Sequence, residues 1–116
     1  CRLVTSVEKA ATQYHFIDRV KQQLQADEVQ PVRGDVFKFI ETCRLQYDII
    51  FADPPYDLPR LPEVPQLVLS SAMVKPGTIF IMEHSRNNDF SNLPCFEQHR
   101  AYGSVNFSIF KVPENL

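Results

Sequence analysis

Directly behind its most apolar run, residues 47–52, the chain places an acid, two prolines and an aromatic: Asp53-Pro54-Pro55-Tyr56. Proline lacks a backbone donor and fixes φ, so the run must stop there. The run reads as a strand with apolar residues at successive positions. Residues 78–82 repeat that pattern and end at Glu83-His84. Strands apolar on both faces belong to parallel sheets covered by helices on each side. These two segments therefore predict the middle of an α/β sheet.

The rest of the chain agrees. Residues 3–7 are short and β-rich. Over residues 9–26, Ala10, Tyr14, Ile17, Val20 or Lys21, and Leu24 form a stripe of period 3.6, with Gln, Arg and Lys opposite; this predicts an amphipathic helix. Residues 29–33 predict a second strand, ended by Gly34-Asp35, and residues 35–43 a short helix through Phe37 and Ile40. A proline-rich loop over residues 54–65 runs into a helix over 62–73, since proline is tolerated in a first helical turn. Residues 96–102 and 105–112 predict an antiparallel hairpin around Gly103-Ser104. Alternating strands and helices followed by a β-β ending predict a mostly parallel Rossmann-like sheet with an antiparallel hairpin at its end. No linker divides residues 1–116, so one domain is expected.

Composition narrows the function classes. The chain has 116 residues, 44% of them hydrophobic, and a mean hydropathy of −0.22, which is enough to bury a core. No apolar run approaches the roughly 18–20 residues of a membrane span, and no signal-peptide pattern opens the chain. The formal net charge is −2, without the basic excess of a dedicated nucleic-acid binder. Any grip on nucleic acid then comes from local patches or from elsewhere. Cys1, Cys43 and Cys95 are odd in number and far apart. They predict neither a disulfide framework nor a zinc site, and a reducing cytoplasm is the default location.

In open parallel sheets ligands bind beyond the carboxyl ends of the strands. Glu8, Asp35, Asp53 and Glu83 each follow a predicted strand. A single such acid is ordinarily a solvated carboxylate or a helix cap, and Asp35 could simply cap its helix. Together at one rim they point to a ligand cleft. An acid there can accept both hydroxyls of a ribose, and one a strand further out can accept from an adenine amino group. The diproline is more specific. It holds a stiff loop whose carbonyls have no neighbouring N–H. A planar amino group needs two such acceptors, the Asp53 carboxylate and the Pro54 carbonyl, to aim its nitrogen at an electrophile. Tyr56 offers a flat face for a base to stack on.

These residues match the (D/N/S)-P-P-(Y/F/W) motif of amino-group methyltransferases that use S-adenosyl-L-methionine. The whole chain resembles the bacterial 16S rRNA guanine-N2 methyltransferase family. The resemblance runs through "VTSVEKAATQ", "VRGDVFKFI", "YDIIFADPPY", "GTIFIMEHS" and the ending "YGSVNFSIF". It implies that Glu8 binds the cofactor ribose. Asp35 and the Val36 N–H would meet the adenine. Asp53, Pro54, Pro55 and Tyr56 would form the catalytic set, Asp53 also bordering the cofactor. Glu83 and His84 receive no role. The implied partner is 16S rRNA or the small ribosomal subunit.

The family's first strand and glycine-rich loop have no counterpart after Cys1. The sequence therefore predicts a partial catalytic domain, its first strand absent, inactive by itself and prone to self-association along unpaired strand edges. Two other readings stay open: an adenine-N6 methyltransferase on DNA or RNA, and a non-catalytic truncated remnant acting as a binding module.

Overall fold

A computed structural model describes residues 4–8, 11–25, 28–54 and 59–113. The chain divides into two compact units, residues 1–43 and 44–116.

The first unit is a β-α-β crossover. Strand β1 (Val4–Glu8) and strand β2 (Val29–Arg33) pair in parallel, Val4 opposite Val29 and Glu8 opposite Arg33. Helix α1 (Ala11–Leu24) joins them; Tyr14, Ile17, Val20 and Lys21 are half-buried along its predicted stripe, while Leu24 is exposed. The chain leaves α1 through Gln25, whose φ of 54° is the left-handed conformation that ends many helices. Helix α2 (Val36–Thr42) follows β2 and buries Ile40.

The second unit holds a four-stranded sheet in the order β3-β4-β6-β5. Strands β3 (Ile49–Ala52) and β4 (Ile79–His84) are parallel, Ile49 opposite Ile79 and Ala52 opposite Met82. Between them lie a 3-10 turn (Leu61–Glu63) and helix α3 (Val64–Leu69), with proline in the first turn of each as expected. Strands β5 (Phe96–Tyr102) and β6 (Val105–Lys111) form the hairpin, and β6 runs antiparallel to β4. Gly103 has φ 64° at the first position of the two-residue turn, and Ser104 does not share that sign. That is the II′ arrangement, in which glycine leads and the turn follows the strands' natural twist.

The core of this unit lies on one face of the sheet. Phe80, Met82 and Phe110 are fully buried, and Leu61, Val64 and Val68 add the helical side. Phe80 stacks on Phe110 at 5.5 Å between ring centroids, with Phe96 edge-on to Phe110 at 5.7 Å. Thr78 ties the sheet to its connections. Its hydroxyl donates to the Tyr47 carbonyl at 2.7 Å and accepts from the Lys75 amide at 3.0 Å. Lys75 also pairs with Asp48 at 2.8 Å.

Three expectations are corrected. Strand β3 is not covered on both faces: Ile49 and Phe51 are 65% and 58% exposed. It ends the four-stranded ladder, and Phe51 meets Phe107 of β6 at 6.4 Å between ring centroids. Helix α3 stops at Leu69, short of residue 73, because the hydroxyls of Ser70 and Ser71 bond back to the carbonyls of Gln66 and Val68 at 2.7 and 2.6 Å. Strand β4 runs on through Glu83 and His84.

Candidate active site

The site begins where β3 ends. Asp53 and Pro54 follow the last ladder pair, Ala52 with Met82. Asp53 is exposed and Pro54 half-buried. The Asp53 carboxyl is held above its ordinary value of 3.8. A side-chain hydrogen bond with Glu83 is the largest cause, followed by partial burial and the Glu83 charge. Sequence reasoning had left Glu83 without a role. The fold brings it beside Asp53, and only the ladder register reveals that. Pro55 and Tyr56 lie outside the described residues, as does Cys1.

His84 likewise received no role from the sequence. It is fully buried. Its Nδ1 lies 2.7 Å from the Ser85 carbonyl, which can only accept, so Nδ1 carries the hydrogen. In the neutral ring Nε2 then accepts from the Ser108 hydroxyl at 2.7 Å. Phe90 stands edge-on at 4.9 Å. His84 therefore fills a core position with both nitrogens satisfied, on the face opposite Glu83.

In the first unit, Glu8 closes β1 and Asp35 stands two residues beyond β2. Asp35 is extended (φ −75°, ψ 126°), and its Oδ1 accepts from the Phe37 amide at 2.8 Å. It is thus the N-cap of α2. A cap uses one carboxylate oxygen and leaves the other able to accept. Val36 is the first helical residue, and its amide, like every N–H of a first turn, has no partner within the helix. A Cβ placed on Gly34 would meet nothing within 4 Å, so the rim before Asp35 is open. One acceptor next to one donor at an open rim is the set an adenine edge requires, for its amino group and ring nitrogen.

Among the described residues no cluster of His, Cys, Asp or Glu could hold a metal ion. None of their helices is long and apolar enough to cross a membrane.

A parallel β-α-β unit, a second parallel pair and an antiparallel strand inserted beside it define a Rossmann-like α/β methyltransferase fold. Solved structures share it. A protein of Haemophilus influenzae, HI0767, assigned as a methylase, superposes with a TM-score of 0.84 at 16% identity, over 98% of this chain and 74% of its own. The Escherichia coli protein yhhF, assigned as a methyltransferase, gives 0.84 at 16% identity, over 97% and 66%. A complex described as DhpI-SAM-HEP gives 0.55 at 21% identity, over 97% and 53%. The chain belongs to the family described as Conserved hypothetical protein 95, which it matches over residues 1–111. It is also 31% identical over 81 residues to the uncharacterized methylase RP545 of Rickettsia prowazekii (strain Madrid E). That match covers 68% of this chain, and the chain spans about a third (34%) of that relative.

Proposed function

We propose that the chain carries the catalytic part of a methyltransferase that uses S-adenosyl-L-methionine and acts on an exocyclic amino group of a base in RNA, guanine N2 of 16S rRNA. The observation that carries this reading is Asp53. It is an exposed carboxyl at the carboxyl end of a parallel strand, followed at once by a proline.

When bound, the cofactor supplies an electrophilic methyl group. In the first unit, Glu8 addresses its ribose. Asp35 accepts from the adenine amino group with the oxygen its cap leaves over, and the Val36 N–H donates to the ring. In the second unit, the Asp53 carboxylate and the Pro54 carbonyl each accept one N–H of the target amine. That fixes the plane of the amine and directs its lone pair. Pro55 stiffens the loop and Tyr56 stacks on the base, a contact worth about 1–3 kcal/mol. Holding the amine in one orientation is the protein's main contribution, because proximity and alignment can supply about 7–11 kcal/mol of a barrier.

The rRNA substrate rests on the motif and on the C-terminal hairpin ending "YGSVNFSIF". With a formal charge of −2, the chain leaves most of the phosphate contacts to other parts of the assembly. A cytoplasmic location follows from such a substrate. The exposed Ile49 and Phe51 on the terminal strand β3 are where two copies of the chain would associate.

The test gives a longer protein, in which a glycine-rich strand precedes this chain, labelled S-adenosyl-L-methionine and structured small-subunit rRNA, followed by nucleoside analysis. N2-methylguanosine is expected, and Asp53→Ala should abolish it while cofactor binding persists. Label recovered as N6-methyladenosine would replace the guanine reading. Near-normal turnover of Asp53→Ala would remove Asp53 from the site.

A further inference from the structure

The sheet of the second unit turns one face away from its core, and strand register fixes what stands there. Side chains alternate along a strand, and paired residues share a face. Phe80, Met82 and Phe110 are buried on one side. The other side therefore carries Phe51 of β3, Ile81 and Glu83 of β4, Phe107 of β6, and Arg100 and Tyr102 of β5. Rings run across it: Phe51 lies 6.4 Å from Phe107, and Phe107 lies 6.1 Å from Tyr102, centroid to centroid. Tyr102 is 60% exposed. The antiparallel direction of β6 decides where this row ends. His84 pairs with Asn106 at the end of β4, while the hairpin continues through Tyr102 opposite Val105 to the turn at Gly103-Ser104. The tip thus overhangs the carboxyl end of β4, on the same rim as Asp53 and Pro54 behind β3. Two cations join it. Arg100 shares the face of Tyr102, and its Nε donates to Gln98 Oε1 at 3.2 Å. The guanidinium has four further N–H donors. Arg86 is exposed in the turn after β4, which the Asn88 amide closes onto the Ser85 carbonyl at 3.2 Å. Among the described residues no carboxylate pairs with either arginine.

We propose that Tyr102 and Arg100 hold the nucleotide next to the target in the RNA: its base stacks on the Tyr102 ring and its phosphate meets the Arg100 guanidinium, with Arg86 on a second phosphate along the rim. This rests on the reading that Asp53 receives a base amine of RNA. Strand β5 stands three strand spacings from β3, about 14 Å, too far for a base held at Asp53 to lie on Tyr102. The ring therefore takes a neighbour of the target. That neighbour is unpaired, because a base stacks on a side chain only where it has left its own helix. A flat ring beside a guanidinium suits a nucleotide, base to ring and phosphate to cation. An apolar helix or a second sheet laid on the same face would bury the Arg100 charge without a partner. Neither contact reads a base edge, so the pair selects unpaired over duplex RNA and tolerates any base at the neighbouring position. It is a local cationic patch on a chain whose formal charge is −2.

The experiment uses the longer protein of the methyl-transfer test and a fluorescent fragment of small-subunit rRNA with an unpaired loop, and reads Kd by anisotropy. Tyr102→Ala should raise Kd about fivefold to a hundredfold. Tyr102→Phe keeps the ring and should stay within about twofold of the parent. Arg100→Ala should lower the slope of log Kd against log salt by about 0.7, whereas Tyr102→Ala should leave that slope unchanged. Affinity for S-adenosyl-L-methionine should be equal in the parent and all three variants, which separates a lost RNA contact from a lost fold. Parent-like RNA affinity in Tyr102→Ala overturns the proposal, even where methyl transfer proceeds and the reading of Asp53 stands. If light scattering then shows that this variant turns a dimer into a monomer, the face belongs to a second copy. Tyr102→Phe binding as weakly as Tyr102→Ala also overturns the proposal, because stacking does not use the hydroxyl. A parent that binds no RNA overturns the proposal and the RNA substrate together. If RNA affinity falls as expected and no base amine is methylated, the RNA contact is upheld and the methyl-transfer reading alone fails.

Discussion

Asp35 separates a structural duty from a binding one, and two substitutions divide them. Its Oδ1 accepts from the Phe37 amide at 2.8 Å and caps α2. Asparagine is as good an N-cap as aspartate, whereas alanine at a cap costs about 0.5–2 kcal/mol. Helix α2 buries Ile40, so the cap is coupled to the packing of its unit. Chemical denaturation should show Asp35→Asn within about 0.5 kcal/mol of the parent and Asp35→Ala about 1 kcal/mol less stable. Cofactor affinity should sort differently. The asparagine oxygen is committed to the cap, so the group left facing an adenine amine is an NH2, donor against donor. Losing a hydrogen bond to a charged acceptor costs about 1.5–3 kcal/mol, roughly a tenfold to hundredfold rise in Kd. Both variants should show it by calorimetric titration with S-adenosyl-L-methionine. Asp35→Asn binding as tightly as the parent would remove Asp35 from the cofactor site. Equal stability of the two variants would remove the capping argument.

Other outcomes follow from the same geometry. Ser108→Ala leaves buried His84 Nε2 without its 2.7 Å partner and should cost about 1–3 kcal/mol in denaturant titration, with the rate per folded molecule unchanged. Phe110→Ala, emptying a fully buried position between Phe80 and Phe96, should cost about 3–5 kcal/mol. The Asp53 carboxyl is raised above 3.8 in the folded protein. Its contribution to stability is therefore complete below about pH 3.8 and declines as pH rises through the folded value. Melting curves of Glu83→Gln should lack much of that decline, and a profile parallel to the parent's would contradict it.

Local chemistry was legible in the sequence wherever it depended on near neighbours. The apolar period placed α1, the Gly34-Asp35 step placed the start of α2, and Gly103-Ser104 placed the hairpin turn. The strand-acid-proline order located Asp53, because proline stops a strand by its own covalent structure. The extent of β4 was not legible. Glu83 and His84 look like the polar end of a strand until Ser108, 24 residues away, is seen to satisfy a ring nitrogen. A polar residue in a core position reads as surface when its partner is remote in sequence.

The sequence by itself determined that strands and helices alternate, that residues 96–111 form a hairpin, and that an acid and a proline follow the third strand. Periodicity, turn residues and proline geometry act within a few positions. Tertiary structure alone decided that β6 enters beside β4, that β3 bears an exposed apolar face, and that Glu83 stands against Asp53. The last of these depends on the register between two strands joined by a long crossover. Register is fixed by the packing of a whole face and not by either strand's residues, and a slip of one position would have sent Glu83 to the opposite side.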